Sequence, residues 1–442
     1  MSENAKDRLG RLELQREQLE NGLAILSNQV RDTQTVAISG SIKAGAICDP
    51  SGSSGAAELV SRLLMRGTTS LSGDQISQRI EEAGATLSFE NRDESVSFSS
   101  RCYYGVLDEV LEIIGECLMR PSFPEKEIAL SKNEILSEIK ANDDDTRSTA
   151  YKHLSELVFG KDAPYGRDPL GRPEELKNLG KEDLTRFHRE NYEPSRLIIA
   201  MTGGYEYDRV KTKIDKIFSH WKNESATKFS FRETKANASN NLTMKMKHKT
   251  QVDLAIGTRA VRRSSHDYYP LNLGNLVLGR LGLYGRLGKN VREDQGVAYY
   301  VFSALQSKLF SGLFAVFAGV NPSNVAKALE GIYEELTRIT SEPIPQKELE
   351  TAKRNSVGSL SISLDTSVER VAILHEMEYH NLGMDYLERY PSILDRISSE
   401  EILAAFQKYV KFEDLSMVAA GPVDDDTLVL PTIKQLKRDY SR

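Results

Sequence analysis

"FPEKEIALSKNEI" (residues 123–135) has a counterpart in "IPQKELETAKRNS" (344–356). Pro124 lies over Pro345, Lys126 over Lys347, Glu127 over Glu348 and Lys132 over Lys353, each pair 345 − 124 = 221 positions apart. Further on, "KEDLTRFHRENYEPSRLIIAMTGG" (181–204) aligns with "SEEILAAFQKYVKFEDLSMVAAGP" (399–422), with Leu184 over Leu403, Phe187 over Phe406 and Gly203 over Gly421. Across these segments the offset drifts only from 221 to 421 − 203 = 218. Self-similarity at half the chain length is the mark of a tandem duplication. Two homologous domains are expected, 1–222 and 242–442. The segment between them, 223–241, is polar and aperiodic, as a linker would be.

Within a half, the pattern predicts α+β structure: an antiparallel-rich sheet with helices packed on one face. "TVAISGSIKAG" (35–45) reads as a strand, and "ATLSFENRDESVSFSSRC" (85–102) alternates long enough to be an antiparallel pair. Apolar spacing in "GVLDEVLEIIGECLMRP" (105–121) is helical, and Pro121 closes it.

The chain has 442 residues, 39% of them hydrophobic, enough for ordinary cores in two domains. Its 58 basic and 64 acidic residues leave a net charge of −6 with no basic stripe, which sets nucleic acid aside. The first 25 residues are dense in both charge signs and contain no apolar signal region, and no later stretch reaches the length of a membrane span. The expected location is cytoplasmic. Cys48, Cys102 and Cys117 are odd in number and lack C-x-x-C spacing, so they read as buried thiols rather than disulfides or zinc ligands.

"GAAELVSRLLMRGTTSLSG" (55–73) predicts a helix on which Glu58 and Arg62, four apart, share a face with Ser61 beside them. Those are the three working positions of an inverted zincin, H-x-x-E-H, and all three chemistries are absent. The chain resembles the pitrilysin/insulinase family of inverted-zincin peptidases, in particular its short two-domain subunits of the processing-peptidase type. "LENGLAIL" (19–26), "GRDPLGRPEELKNLGKEDL" (166–184) and "AAGP" (419–422) carry the resemblance over nearly the whole length. Against the family frame G-x-A-H-x-x-E-H-x-x-x-x-G-T, Gly55, Ala57, Gly67 and Thr68 are kept, while Glu58, Ser61 and Arg62 replace the working groups. Glu138 stands 138 − 62 = 76 residues after Arg62, matching the position of the family's third zinc ligand.

Zinc needs three or four good ligands, usually including His or Cys. Arg62 offers only donors. A guanidinium about 4 Å from a divalent ion is repelled by roughly 8 kcal/mol at an effective dielectric near 20. No metal is therefore expected in this chain. Two readings of the helix stand side by side: a solvated polar stripe, or an Arg62 guanidinium lying where the metal would be and bonded to Glu138 and Glu58.

A second family feature is intact. The frame R-E-x-x-G-x-A-Y reads "VREDQGVAYYVFSA" (291–304) and contains Arg292 and Tyr299. In the family, this pair reaches substrate near the scissile bond at a metal site in the opposing domain. Arg supplies fixed donors and a phenol can stabilise an oxyanion. The resemblance thus implies a non-catalytic subunit that pairs with a homologous zinc-bearing H-x-x-E-H subunit and supplies substrate-binding Arg292 and Tyr299 to a peptide-cleaving chamber. The alternative is a purely structural subunit like the inactive core proteins of respiratory complexes.

Some features depart from the pattern. Ser88, Phe89, Glu90 and Asn91 stand where the family's substrate-edge strand has N-A-x-T, and "LGRLGLYGRLGK" (278–289) is only modestly glycine-rich, which suits helix packing or a turn before Val291 better than substrate gating. "HEMEYH" (375–380) resembles H-E-x-x-H, but its second His is five residues on, about 140° around the helix, so His375 and His380 read as ordinary helix residues. His153, His188, His220, His248 and His266 lack ligand spacing, and the N-x-S/T sequons at Asn223, Asn237 and Asn241 carry no meaning in a cytoplasmic chain.

Overall fold

The computed structural model describes residues 12–222, 240–283 and 285–423. In chain order the first part contains β1 (Leu14–Gln18), β2 (Ala24–Gln29), β3 (Thr35–Ile42), α1 (Ala56–Leu63), α2 (Gly73–Glu82), β4 (Thr86–Asn91), β5 (Val96–Tyr103), α3 (Leu107–Met119), α4 (Glu125–Asp144), α5 (Thr146–Phe159), α6 (Pro173–Asn178), α7 (Lys181–Asn191), β6 (Leu197–Gly203) and α8 (Tyr207–Phe218). There follow β7 (Asn241–Lys245), β8 (Val252–Ala260), α9 (Tyr268–Gly279), a π-helical turn (Gly288–Asp294), β9 (Ala298–Ser307), β10 (Gly312–Val320), α10 (Val325–Ser341), α11 (Gln346–Ser363), α12 (Ser367–Tyr379), α13 (Tyr386–Asp395), α14 (Ser399–Tyr409) and β11 (Ser416–Gly421). Most of the expected linker, residues 223–239, lies outside the described residues, and Asn241 already opens β7.

The duplication is visible in the sheets. One has the order β1-β2-β6-β3-β5-β4 and the other β7-β11-β8-β10-β9, so among the described residues the second repeats the β2-β6-β3-β5-β4 order of the first. Each is antiparallel except for a single parallel pair, β2 with β6 and β7 with β11. The aligned residues do the same work in both. Lys132 on α4 donates to the Lys177 carbonyl at the end of α6, and Lys353 on α11 donates to the Asp395 carbonyl at the end of α13. Gly203 and Gly421, with φ of 145° and 149°, end β6 and β11 where a Cβ would strike Val36 and Val252 of the neighbouring strand.

The fold is α+β, and its compact units cut across the halves of the sequence. Of the described residues, one unit holds 12–139, 168–222 and 358–390, and the other holds 140–167, 240–357 and 391–423. Two helices related by the repeat, α5 and α12, cause this interleaving. The sequence of α5 lies in the first half, yet it packs on β8 and β11; α12 lies in the second half and packs on β6, β3 and β2.

In the first unit, the main core lies between one face of the sheet (Ile25, Val36, Ile38, Phe98, Ile199, Met201) and helices α1, α3, α4, α7 and α8. Strand alternation turns Asn28, Ser41 and Thr202 the other way, and the Thr202 hydroxyl donates to Asn28 Oδ1 at 3.1 Å. Helix α12 covers that opposite face, bonding Ser41 through His375 at 2.7 Å and Asn28 through Arg370 at 3.3 Å. Val371, Leu374, Met377 and Tyr379 are buried under it. In the second unit, α5 does the equivalent on β8. A Cβ on Gly257 would lie 3.1 Å from Leu154, and buried Asp253 accepts hydrogen bonds from Thr146, Tyr300 and Gln251.

Candidate functional site

The helix expected over 55–73 is α1, and it is short, stopping at Leu63. Its start is built by the residues the family frame keeps. Gly55 is the N-cap at φ 95°, a left-handed conformation that favours glycine, and it packs against Gly171. The Asp49 carboxylate accepts from the N–H groups of Gly55 and Ala57 at 2.7 and 2.8 Å, satisfying donors that the first turn cannot. Ala57 is fully buried. After the helix, Gly67 takes φ 150°, and the Thr68 hydroxyl accepts from the N–H of Leu71 at 3.0 Å to close the turn. All four retained frame residues therefore serve backbone geometry and packing, which persist whatever the working side chains are.

The structure brings Glu58, Arg62 and Glu138 together. Arg62 Nε donates to Glu58 Oε1 and Arg62 Nη2 to Glu138 Oε2, both at 2.5 Å, so one guanidinium bridges α1 and α4. Glu58 is buried, and the side chains of Arg62 and Glu138 are 26% and 46% exposed. The Asn91 side chain, on β4, also bonds Glu58. Burial holds the Glu58 carboxyl above its ordinary range, against the pull of Arg62 and Asn91. Burial also opposes the charge on Arg62, but its bonds to Glu138 and Glu58 outweigh it and raise its pKa. Of the two readings of this helix, the geometry selects the charge-assisted cluster. Ser61 is buried beside it, a hydroxyl where a general base would be needed.

Zinc does not fit these residues. The two carboxylates are engaged by Arg62, whose donors point where ligand lone pairs would have to, and two oxygen ligands fall short of a zinc site. His375 is no substitute: its Nε2 is taken by Ser41, it stacks on Tyr379, and burial brings its pKa down to about 4. His380 pairs with Glu376 at 3.1 Å. Cys102 and Cys117 are buried, whereas Cys48, expected inside, is half-buried.

The second unit carries Arg292 and Tyr299. Arg292 lies in the π-helical turn and is partly exposed. Tyr299 is the second residue of β9, which among the described strands pairs with β10 alone, and it is 59% exposed. Its neighbour Tyr300 points the other way, bonding Asp253 and lying under the Arg147 guanidinium at 4.9 Å. The modest glycine run before this turn ends α9 and leads into the π turn, with Gly285 at φ 65° against the Val277 carbonyl.

Sequence reasoning missed Asp49 as the cap of α1, Asn91 as a partner of Glu58, and the Asp253 hub. Asn91 was visible only as a departure from the edge-strand pattern; the other two sit in no recognisable frame.

The model of the insulinase peptidase family (M16) matches residues 24–167, and the model of the M16 inactive domain matches 178–356. The inactive-domain match lies outside the Glu58–Arg62–Glu138 cluster, so that description says nothing of those side chains. The uncharacterized zinc protease YmxG of Bacillus subtilis is 27% identical over 80% of this chain and 85% of its own length. A zinc protease of Mycobacterium leprae, likewise uncharacterized, is 24% identical over 87% of each chain. Among solved structures, a peptidase M16 inactive domain from Pseudomonas fluorescens superposes with a TM-score of 0.86 at 23% identity, covering 93% of this chain and 99% of that one. A Helicobacter pylori protease does so at 0.85 and 19% identity, covering 92% and 99%. With two family models matched in sequence order over most of its length and the duplicated α+β fold in place, the chain belongs to the insulinase-type M16 peptidase family.

Proposed function

We propose that this chain is the non-catalytic subunit of a two-subunit peptidase, completing a chamber around peptide substrate with a homologous partner that carries H-x-x-E-H and its zinc. The observation that carries the reading is the Arg62 guanidinium bonded at 2.5 Å to both Glu58 and Glu138, a cation of the protein's own in the place where the family frame puts metal ligands. Arg292 and Tyr299 are this chain's contribution. An exposed phenol on a strand held from behind by Tyr300 and Asp253 can meet a group from outside the unit without rearrangement. The Arg292 guanidinium suits peptide carbonyl oxygens and the Tyr299 hydroxyl a developing oxyanion.

The test is reconstitution with a paralogue from the same genome that retains H-x-x-E-H. Each chain alone and the mixture are assayed on one fluorogenic peptide, with zinc measured in all three. The expected result is cleavage by the mixture, none by this chain alone, and zinc confined to the partner. A partner fully active by itself would leave this chain as a structural subunit, and cleavage by this chain alone would overturn the reading outright.

A further inference from the structure

Arg292 lies in a π-helical turn, Gly288–Asp294, a conformation that costs energy relative to the α-helix and persists only where surrounding contacts demand it. The demand here comes from Asn290. Its Nδ2 donates to Glu335 Oε1 at 2.9 Å and to Glu334 Oε2 at 3.2 Å, both on α10. Its Oδ1 accepts from Gln295 Nε2 at 2.6 Å, and its backbone carbonyl accepts the Gln295 N–H at 3.1 Å, the i to i+5 bond of the wide turn. Gln295 is thus tied twice to Asn290, closing two rings around the segment that holds Arg292.

The seat on α10 is shaped for this. Gly331 faces the turn, and a Cβ there would lie 2.8 Å from Gln295 Nε2 and 3.0 Å from Val291 Cγ2. Glu335 is buried and Val291 fully so. Polar groups buried at that depth are costly unless bonded, so the turn is held in one arrangement. Were the side-chain ties lost, relaxation to α geometry would remove one residue from the turn and swing the following positions by about 100°, redirecting Arg292.

We infer that Asn290 and Gln295, seated on Glu335, are positioning residues for Arg292. This rests on the proposed reading that Arg292 contacts peptide in the partner's site. Neither touches substrate; they act by fixing the turn.

The test is a double-mutant cycle in the reconstituted heterodimer, with kcat and KM read on the fluorogenic peptide that the wild-type complex cleaves. Arg292→Ala is expected to raise KM about tenfold or more, the scale of one charge-assisted hydrogen bond. Asn290→Ala should raise it by a similar factor, and the double variant should be no worse than Arg292→Ala alone, because both changes remove one interaction. Gln295→Ala, which deletes a single donor, serves as the milder variant should Asn290→Ala fold poorly, and it is expected to follow the same non-additive pattern. If Arg292→Ala is impaired while Asn290→Ala and Gln295→Ala have wild-type kinetics, or if the effects multiply, the positioning role is refuted and the subunit reading stands. Wild-type kinetics for Arg292→Ala would remove both.

Discussion

Replacing Arg62 by Ala strips the guanidinium from Glu58 and Glu138 at once. Breaking a fully buried pair costs about 3–5 kcal/mol. Here the Glu138 side chain is 46% exposed and its loss is worth no more than a surface pair, while Glu58, 9% exposed, keeps Asn91. The balance is about 2 kcal/mol, or roughly 5 °C in the melt of a unit this size. The deficit should depend on pH in a defined sense. Burial already raises the Glu58 pKa, with Arg62 and Asn91 pulling it down, so removing Arg62 raises it further. A raised carboxyl pKa means that the folded state binds the proton more tightly than the unfolded one. The resulting stability is fully present below the ordinary carboxylate pKa and is lost as pH climbs through the folded value. Arg62→Ala should therefore be most destabilised near pH 7 and recover as pH falls toward 4 to 5. Adding Glu58→Gln should restore most of the loss, since a neutral amide needs no cation. Urea denaturation at pH 7 and pH 5 reads all of this. A deficit equal at both pH values and untouched by Glu58→Gln, or no deficit at all, would return α1 to a solvated polar stripe.

The purified chain alone, dialysed against metal-free buffer, should hold no stoichiometric zinc by elemental analysis; about one tightly bound zinc per chain would contradict the fit argument. Tyr300→Phe takes one donor from buried Asp253 and should cost about 1–3 kcal/mol in the same denaturation assay, whereas an unchanged midpoint would mean that Thr146 and Gln251 alone satisfy the carboxylate. A fragment of residues 1–222 lacks α12, whose buried apolar side chains are worth about 1.5–3 kcal/mol each. It should show helical circular dichroism with dye-binding apolar surface and no cooperative melt, and a sharp two-state transition would show that α12 is dispensable to its sheet.

Much of this was legible in the sequence because duplication is self-aligning. The offset pairing Lys132 with Lys353 and Gly203 with Gly421 found residues that do identical jobs, a carbonyl clasp and a strand-end turn, since both repeats solve one packing problem. The alternation over 85–102 gave β4 and β5 for the same reason that any half-buried hairpin shows itself. The exchange of α5 and α12 was not legible: a helix that caps a sheet has the same amphipathic pattern whichever of two homologous sheets it caps. At the candidate site, the spacing of Glu58, Arg62 and Glu138 located the cluster, because Gly55, Ala57, Gly67 and Thr68 keep the frame around it. The spacing could not choose between a solvated stripe and a bridging guanidinium, which depends on where α4 passes. Asn290 and Gln295 were invisible because their roles depend on a π turn, and no local propensity announces one.

The central claim is that this chain lends active-site groups to chemistry performed on a partner, and Tyr299→Phe in the reconstituted heterodimer tests it most directly. Tyr299 is exposed, so removing its hydroxyl should leave folding and assembly as they are. The account predicts that kcat on one peptide falls by about 10²-fold or more, the scale of a single oxyanion donor, with heterodimer affinity unchanged. A variant complex that turns over at the wild-type rate would contradict it and make this chain a wall of the chamber.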